Sequence, residues 1–99
     1  MSYLKAKKLT ELLISKNMTI AVAESCTGGS LSSSLTSIPG ASSYFNCGFI
    51  TYSNESKINM LNVNPQSIEL FGAVSEKVAN EMAMGAGQNA FQITHRGHL

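Results

Sequence analysis

Ala23-Glu24-Ser25-Cys26-Thr27-Gly28-Gly29-Ser30 is the stretch whose reading decides the fold. It ends the apolar run Met18 to Ala23, which has the length and β-branched content of a strand. It also opens a run in which Leu31, Leu35 and Ile38 fall at helical spacing. The glycines therefore sit at a strand-to-helix turn. Glycine there lets the backbone approach a ligand closely, and the free N–H groups of a helix start, at the positive end of its dipole, favour an anion. A tight turn closed by a Ser or Thr N-cap accounts for the same residues, so both readings stand at this point.

Outward from this turn, helix and strand patterns alternate. Ala6, Leu9, Leu12 and Leu13 make one apolar face of a helix whose other face carries Lys5, Lys8 and Glu11, and Asn17 suits the left-handed residue that closes it. After the turn a Ser-rich helix runs to about Ser37 and is stopped by Pro39-Gly40. A short segment from Ala41 to Tyr44 leads into a second strand from about Phe45 to Tyr52, where Gly48 marks a bulge or a close backbone contact. Ser53-Asn54 offers an N-cap for a helix through Lys57 to Leu61, and Asn64-Pro65 opens a short helix closed by Gly72. Val78, Met82 and Ala86, four apart, define a helix that starts at Ser75. The alternation predicts an α/β layer arrangement with parallel pairing, with a third strand an option at Ala90 to Thr94.

Composition narrows the function classes. Ninety-nine residues make one small domain. A formal charge of +1, with Lys5, Lys7, Lys8 and Lys16 all in the first segment, argues against nucleic acid as partner. Charged residues are 13% and apolar residues 43%, as in a folded globular chain, and no apolar run approaches the length of a bilayer. The N-terminus has lysines where a signal peptide would be apolar. Cys26 and Cys47 are spaced for neither a zinc site nor a redox pair, so they read as reduced thiols in a cytoplasmic protein.

The residues also carry a resemblance. Ala23-Glu24-Ser25-Cys26-Thr27-Gly28-Gly29, Ile38-Pro39-Gly40-Ala41-Ser42, Gly48 through Lys57, Gly72-Ala73-Val74-Ser75-Glu76 and Glu81-Met82-Ala83 stand in one order. Together they resemble the C-terminal domain of the CinA family, also met as the stand-alone nicotinamide-nucleotide amidohydrolases of the PncC type. The likeness covers roughly residues 5 to 86 and implies a domain at 1–86 followed by a divergent tail at 87–99. It implies a layered α/β/α fold with a small, mainly parallel sheet that is incomplete relative to the family. Relatives continue past this point with a further strand and a Gly-rich segment that helps complete the substrate pocket, which suggests a shortened chain. The resemblance further implies an amidase that converts nicotinamide mononucleotide and water to nicotinic acid mononucleotide and ammonia. Ser25 would be its nucleophile, assisted by Tyr52 and Lys57.

Those residue types suit that chemistry. A serine hydroxyl needs a nearby base, and a lysine serves as one only when burial or a neighbouring cation favours its neutral form, so Lys57 would have to be partly desolvated. Tyr52 could relay a proton or orient the base, and amides near Gly28 could hold the tetrahedral oxyanion. Thr27, Gly28, Gly29 and Ser30 are the candidates for binding the substrate phosphate, with helix capping as the plainer role for the two hydroxyls. No metal or other cofactor is required. Cys26 is a competing nucleophile beside a helix start, but no histidine accompanies it. His95 and His98 at the chain end read as surface residues rather than metal ligands.

Three functions remain open to sequence reasoning. One is the amidohydrolase, weakened or inactive through shortening. The second is a non-catalytic module that binds nucleotide phosphate. The third is an interaction protein whose thin sheet exposes an edge that invites pairing with a partner or with a second copy.

Overall fold

The computed structural model describes residues 1–96, and side chains as far as residue 92. The elements are α1 (Tyr3–Ser15), β1 (Ile20–Glu24), α2 (Ser30–Thr36), a 3-10 turn (Ala41–Ser43), β2 (Phe45–Ile50), α3 (Asn54–Leu61), α4 (Pro65–Phe71) and α5 (Glu76–Arg96). β1 and β2 pair in parallel as a two-stranded sheet. Among the described residues no helix is long and apolar enough to cross a membrane.

Alternation along β1 separates two cores. Ile20 and Val22 face a cluster built with Ala6, Leu9 and Leu13 of α1, Leu35 of α2, and Ile38 and Tyr44. Ala23 faces the other side, where Leu61, Val63, Val78, Met82 and Ala86 form a second cluster. Phe45 and Phe49 have the same parity and would share a face in a regular strand, yet Phe45 packs in the first cluster and Phe49 in the second. The cause is a register shift. Ile20 pairs with Phe45 but Ala21 pairs with Cys47, so Asn46 is an extra residue that turns the rest of β2 over.

The bulge expected at Gly48 therefore falls two residues earlier, and Gly48 itself is the site of close contact. A Cβ there would lie 2.8 Å from Ser32 Oγ and 3.2 Å from Val22 Cγ2, so its absence lets the start of α2 approach the sheet.

The helices follow their signals with a few corrections. Ser2 caps α1, and Asn17 closes it with φ 53°. Leu12 is exposed, and Thr10 takes its place on the buried face, since positions 6, 9, 10 and 13 share a narrower stripe. Thr10 turns its hydroxyl back to the Lys7 carbonyl at 2.9 Å. Ser53 caps α3, Asn64 caps α4, and Ser75 Oγ accepts from Val78 N at the start of α5. Tyr44 is fully buried, and its hydroxyl donates to the Leu35 carbonyl at 2.6 Å, tying down the end of α2. The second strand ends at Ile50 rather than Tyr52.

The optional third strand at Ala90 to Thr94 does not form, because α5 continues to Arg96. Ala90 extends the four-residue spacing of Val78, Met82 and Ala86 as a buried position, so the helical period carries on past residue 86 without a break.

α5 crosses the end of α3 closely. Asn89 Nδ2 donates to the Met60 carbonyl at 2.5 Å, and a Cβ on Gly85 would collide with the Leu61 carbonyl oxygen. Gly85→Ala is therefore expected to cost about 3 kcal/mol, because backbone must move to admit the methyl group. Gly87→Ala meets nothing within 4 Å and should stabilise the helix by about 0.5–1 kcal/mol. Urea denaturation of the two variants beside the parent measures both, and equal stabilities for the pair would contradict the packing.

Candidate active site

β1 ends at Glu24, a carboxylate on the strand face that otherwise carries Ile20 and Val22, and it is buried. Its environment explains how it is tolerated. Oε1 accepts from Thr27 Oγ1 at 2.8 Å and from Leu31 N at 2.8 Å. Oε2 accepts from Ser32 N at 3.0 Å and Ser32 Oγ at 2.6 Å. Burial alone would raise the carboxyl pKa, but these four hydrogen bonds outweigh it and bring it from 4.5 to about 2. Gly29, at φ 109°, begins α2 with no side-chain cap of its own, and the strand carboxylate supplies the cap instead.

The turn between β1 and α2 is closed by two further bonds, Gly28 N to the Ser25 carbonyl and Ser30 N to the Thr27 carbonyl, both 3.1 Å. The amides of Cys26, Thr27 and Gly29 take no partner among the described residues. Ser25 is half-buried, and its hydroxyl takes none either. It lines a cleft of about 570 Å3 that follows the free edge of β1 between α2 and α5. Cys26, Thr27 and Ser30 line the same cleft, with Val74 and Met82 opposite.

Lys57 and Tyr52 do not line this cleft, and neither do Gly28 and Gly29. Thr51 N donates to the Glu24 carbonyl at 2.9 Å, so the ends of β1 and β2 remain in register where Ser25 and Tyr52 follow. Lys57, on the first turns of α3, is buried to 3% exposure and its ammonium donates to the Tyr52 carbonyl at 3.3 Å. The Tyr52 ring is 73% exposed. Both expected partners of Ser25 thus stand at the same C-terminal sheet edge, the usual ligand side of an open α/β sheet, with no hydrogen bond from either to Ser25 Oγ. The side chain of His95 and all of His98 lie outside the described residues.

Glu24 stands inside the Ala23–Ser30 stretch with no task evident from its neighbours along the chain. The available signal was parity, since Ile20, Val22 and Glu24 share a face, and a carboxylate on an apolar face must be paired. The anion expected at the start of α2 is in fact this side chain. The Thr27 hydroxyl and the Leu31 and Ser32 amides are already used by it, while Ser30 lines the cleft and its hydroxyl has no partner among the described residues.

Comparison with known proteins is decisive for the family. The model of the CinA C-terminal domain matches residues 3–92. The chain belongs to that family. A putative competence-damage inducible protein of Alkaliphilus oremlandii is 57% identical over 82 residues, covering 83% of this chain and 20% of that protein. A CinA-like protein of Chlorobaculum tepidum is 54% identical over 77 residues, covering 78% of this chain and 18% of its own length. Among solved structures, a CinA superfamily protein from Escherichia coli superposes with a TM-score of 0.84 at 41% identity, over 87% of this chain and 50% of that one. The competence damage-inducible protein A of Klebsiella pneumoniae gives a TM-score of 0.86 at 30% identity, over 90% and 55%. The chain therefore spans about a fifth of the curated CinA relatives and about half of the solved ones.

Because the folded pKa of Glu24 lies below its unfolded value, its contribution of about 3 kcal/mol is complete above about pH 4.5 and is lost as the pH falls towards about 2. Glu24→Gln, which turns a donor toward donors, is expected to lose about 3 kcal/mol at neutral pH and to flatten that acid limb. Denaturation midpoints measured from pH 7 to pH 2 test both expectations, and an unchanged limb would remove the carboxylate from its assigned role.

Proposed function

We propose that this chain carries the nucleophilic half of a nicotinamide mononucleotide amidohydrolase site. The observation that carries the reading is Ser25. Ser25 lines a cleft on a turn whose Cys26 and Thr27 amides, like its own hydroxyl, have no partner among the described residues, and the buried Lys57 ammonium meets the carbonyl just past the adjacent strand. In this reading Ser25 Oγ attacks the carboxamide carbon, and Lys57 acts as the general base that takes the hydroxyl proton. The amides of Cys26 and Thr27 are the donors nearest in sequence to the oxyanion that develops. The C–N bond then breaks, ammonia departs with the proton from Lys57, and water releases nicotinic acid mononucleotide from the acyl-enzyme.

Tyr52 supports the site through its main-chain carbonyl, which anchors Lys57, while its exposed ring is free to meet substrate. The phosphate of the substrate is assigned to the cleft beside Ser30, because the Leu31 and Ser32 amides that follow it in α2 are already taken by Glu24. The open edge of β1 leaves the cleft broad, and a segment like the Gly-rich one of longer relatives would narrow it.

Ammonia release from nicotinamide mononucleotide by the purified chain tests the reading. Ser25→Ala should lower the rate by a factor on the order of 1,000 while leaving the melting midpoint unchanged. A parent chain without ammonia release overturns the proposed substrate, and release that survives Ser25→Ala overturns the nucleophile.

A further inference from the structure

Thr51 is fully buried, and its Oγ1 has no hydrogen-bond partner. Buried hydroxyls are nearly always paired, so an orphan at this position calls for a physical cause. Its place supplies one. Ala23 pairs with Phe49 and Glu24 with Ile50, and the Thr51 N to Glu24 carbonyl bond continues the ladder, which makes Thr51 the cross-strand neighbour of Ser25.

The two side chains also share a face. Phe49 lies on the α5 side and Ile50 approaches Gly29 on the α2 side, so alternation returns Thr51 to the α5 side. Ala23 is on that side too, so continued alternation brings Ser25 there, at the cleft that runs along the edge of β1 between Leu31 of α2 and Met82 of α5. Two neighbouring hydroxyls, one buried and one on a residue that lines the cleft, are thus both without partners among the described residues. The next residue after Thr51 supplies the carbonyl that holds the Lys57 ammonium.

We propose that Thr51 is a positioning residue. Its buried hydroxyl bonds Ser25 Oγ in the reactive conformation and holds it toward Lys57, without touching substrate. The assignment rests on the reading of Ser25 as nucleophile, and it extends that reading to a residue that composition and motif spacing left unassigned. The hydroxyl remains unpaired at rest because its partner is Ser25 in the attacking rotamer.

Thr51→Val keeps the shape and removes only the hydroxyl. Because that hydroxyl is unpaired in the resting fold, the variant is expected to keep or raise the melting midpoint. Reactivity of Ser25 is read with an alkyl fluorophosphonate, which forms an O–P bond to Ser25 Oγ with loss of fluoride and so does not depend on the natural substrate. Mass spectrometry should find the parent labelled at Ser25, Thr51→Val labelled about tenfold more slowly or worse, and Thr51→Ser restored to within about threefold. With nicotinamide mononucleotide, Thr51→Val should lower kcat by a similar factor with KM unchanged within about twofold.

Equal labelling rates for parent and Thr51→Val overturn the proposal, as does a parent in which Ser25 is not labelled. Labelling that depends on Thr51 in a chain that releases no ammonia upholds the proposal while removing the proposed substrate.

Discussion

A single buried carboxylate fixes the geometry on which the rest of the site depends. Glu24 ends β1 on the face that carries Ile20 and Val22, and its four donors come from the turn and the first residues of α2. The strand end, the glycine turn and the helix start are thereby one rigid unit, and Ser25 is the first residue after the anchor. A charge that would be costly if bare becomes a clamp when every lone pair facing protein is met. The same clamp occupies the anion-binding end of α2, so a feature that could have served a ligand serves the fold.

The sheet is narrow, but two packing details make it specific. The extra residue at Asn46 turns β2 over, so that its two phenylalanines fill opposite cores, and Gly48 admits the serine that Glu24 requires. On the far side, α5 lies so close to α3 at Gly85 that backbone meets backbone. α3 carries Lys57, so this contact and the Tyr52 carbonyl together set where the ammonium stands. Ser25 and Lys57 are held by separate cores, joined through the paired ends of β1 and β2.

Membership of the CinA C-terminal domain family places this arrangement among proteins that are roughly two to four times as long. The edge of β1 beside Ser25 is open here, and the cleft follows it. An amidase reading suits a turn that offers amides without partners, a hydroxyl without a partner and a lysine drawn out of water. Each of those features lies at the C-terminal end of the parallel strands, where an α/β sheet exposes its loops and helix starts to a ligand.

Much of this was legible in the residues. The 3.6-residue and two-residue periods, the caps at Ser53, Asn64 and Ser75, the left-handed Asn17 and the glycine turn are local signals, and local chemistry realises them within a residue or two. What the sequence could not express is pairing across distance. Alternation alone would put Phe45 and Phe49 on one face, and only the pairing of β2 against β1 shows the extra residue between them. Ser32 reads as one more residue of a Ser-rich helix until folding brings Glu24 within reach of its amide and hydroxyl. Lys57 and Tyr52 read as side-chain partners, yet it is the Tyr52 carbonyl that the lysine meets while the ring faces solvent. The sequence by itself determined the elements, their order and the family, because these follow from neighbours along the chain. The tertiary structure decided which polar groups satisfy one another, because a buried hydrogen bond depends on what packing brings within 3 Å.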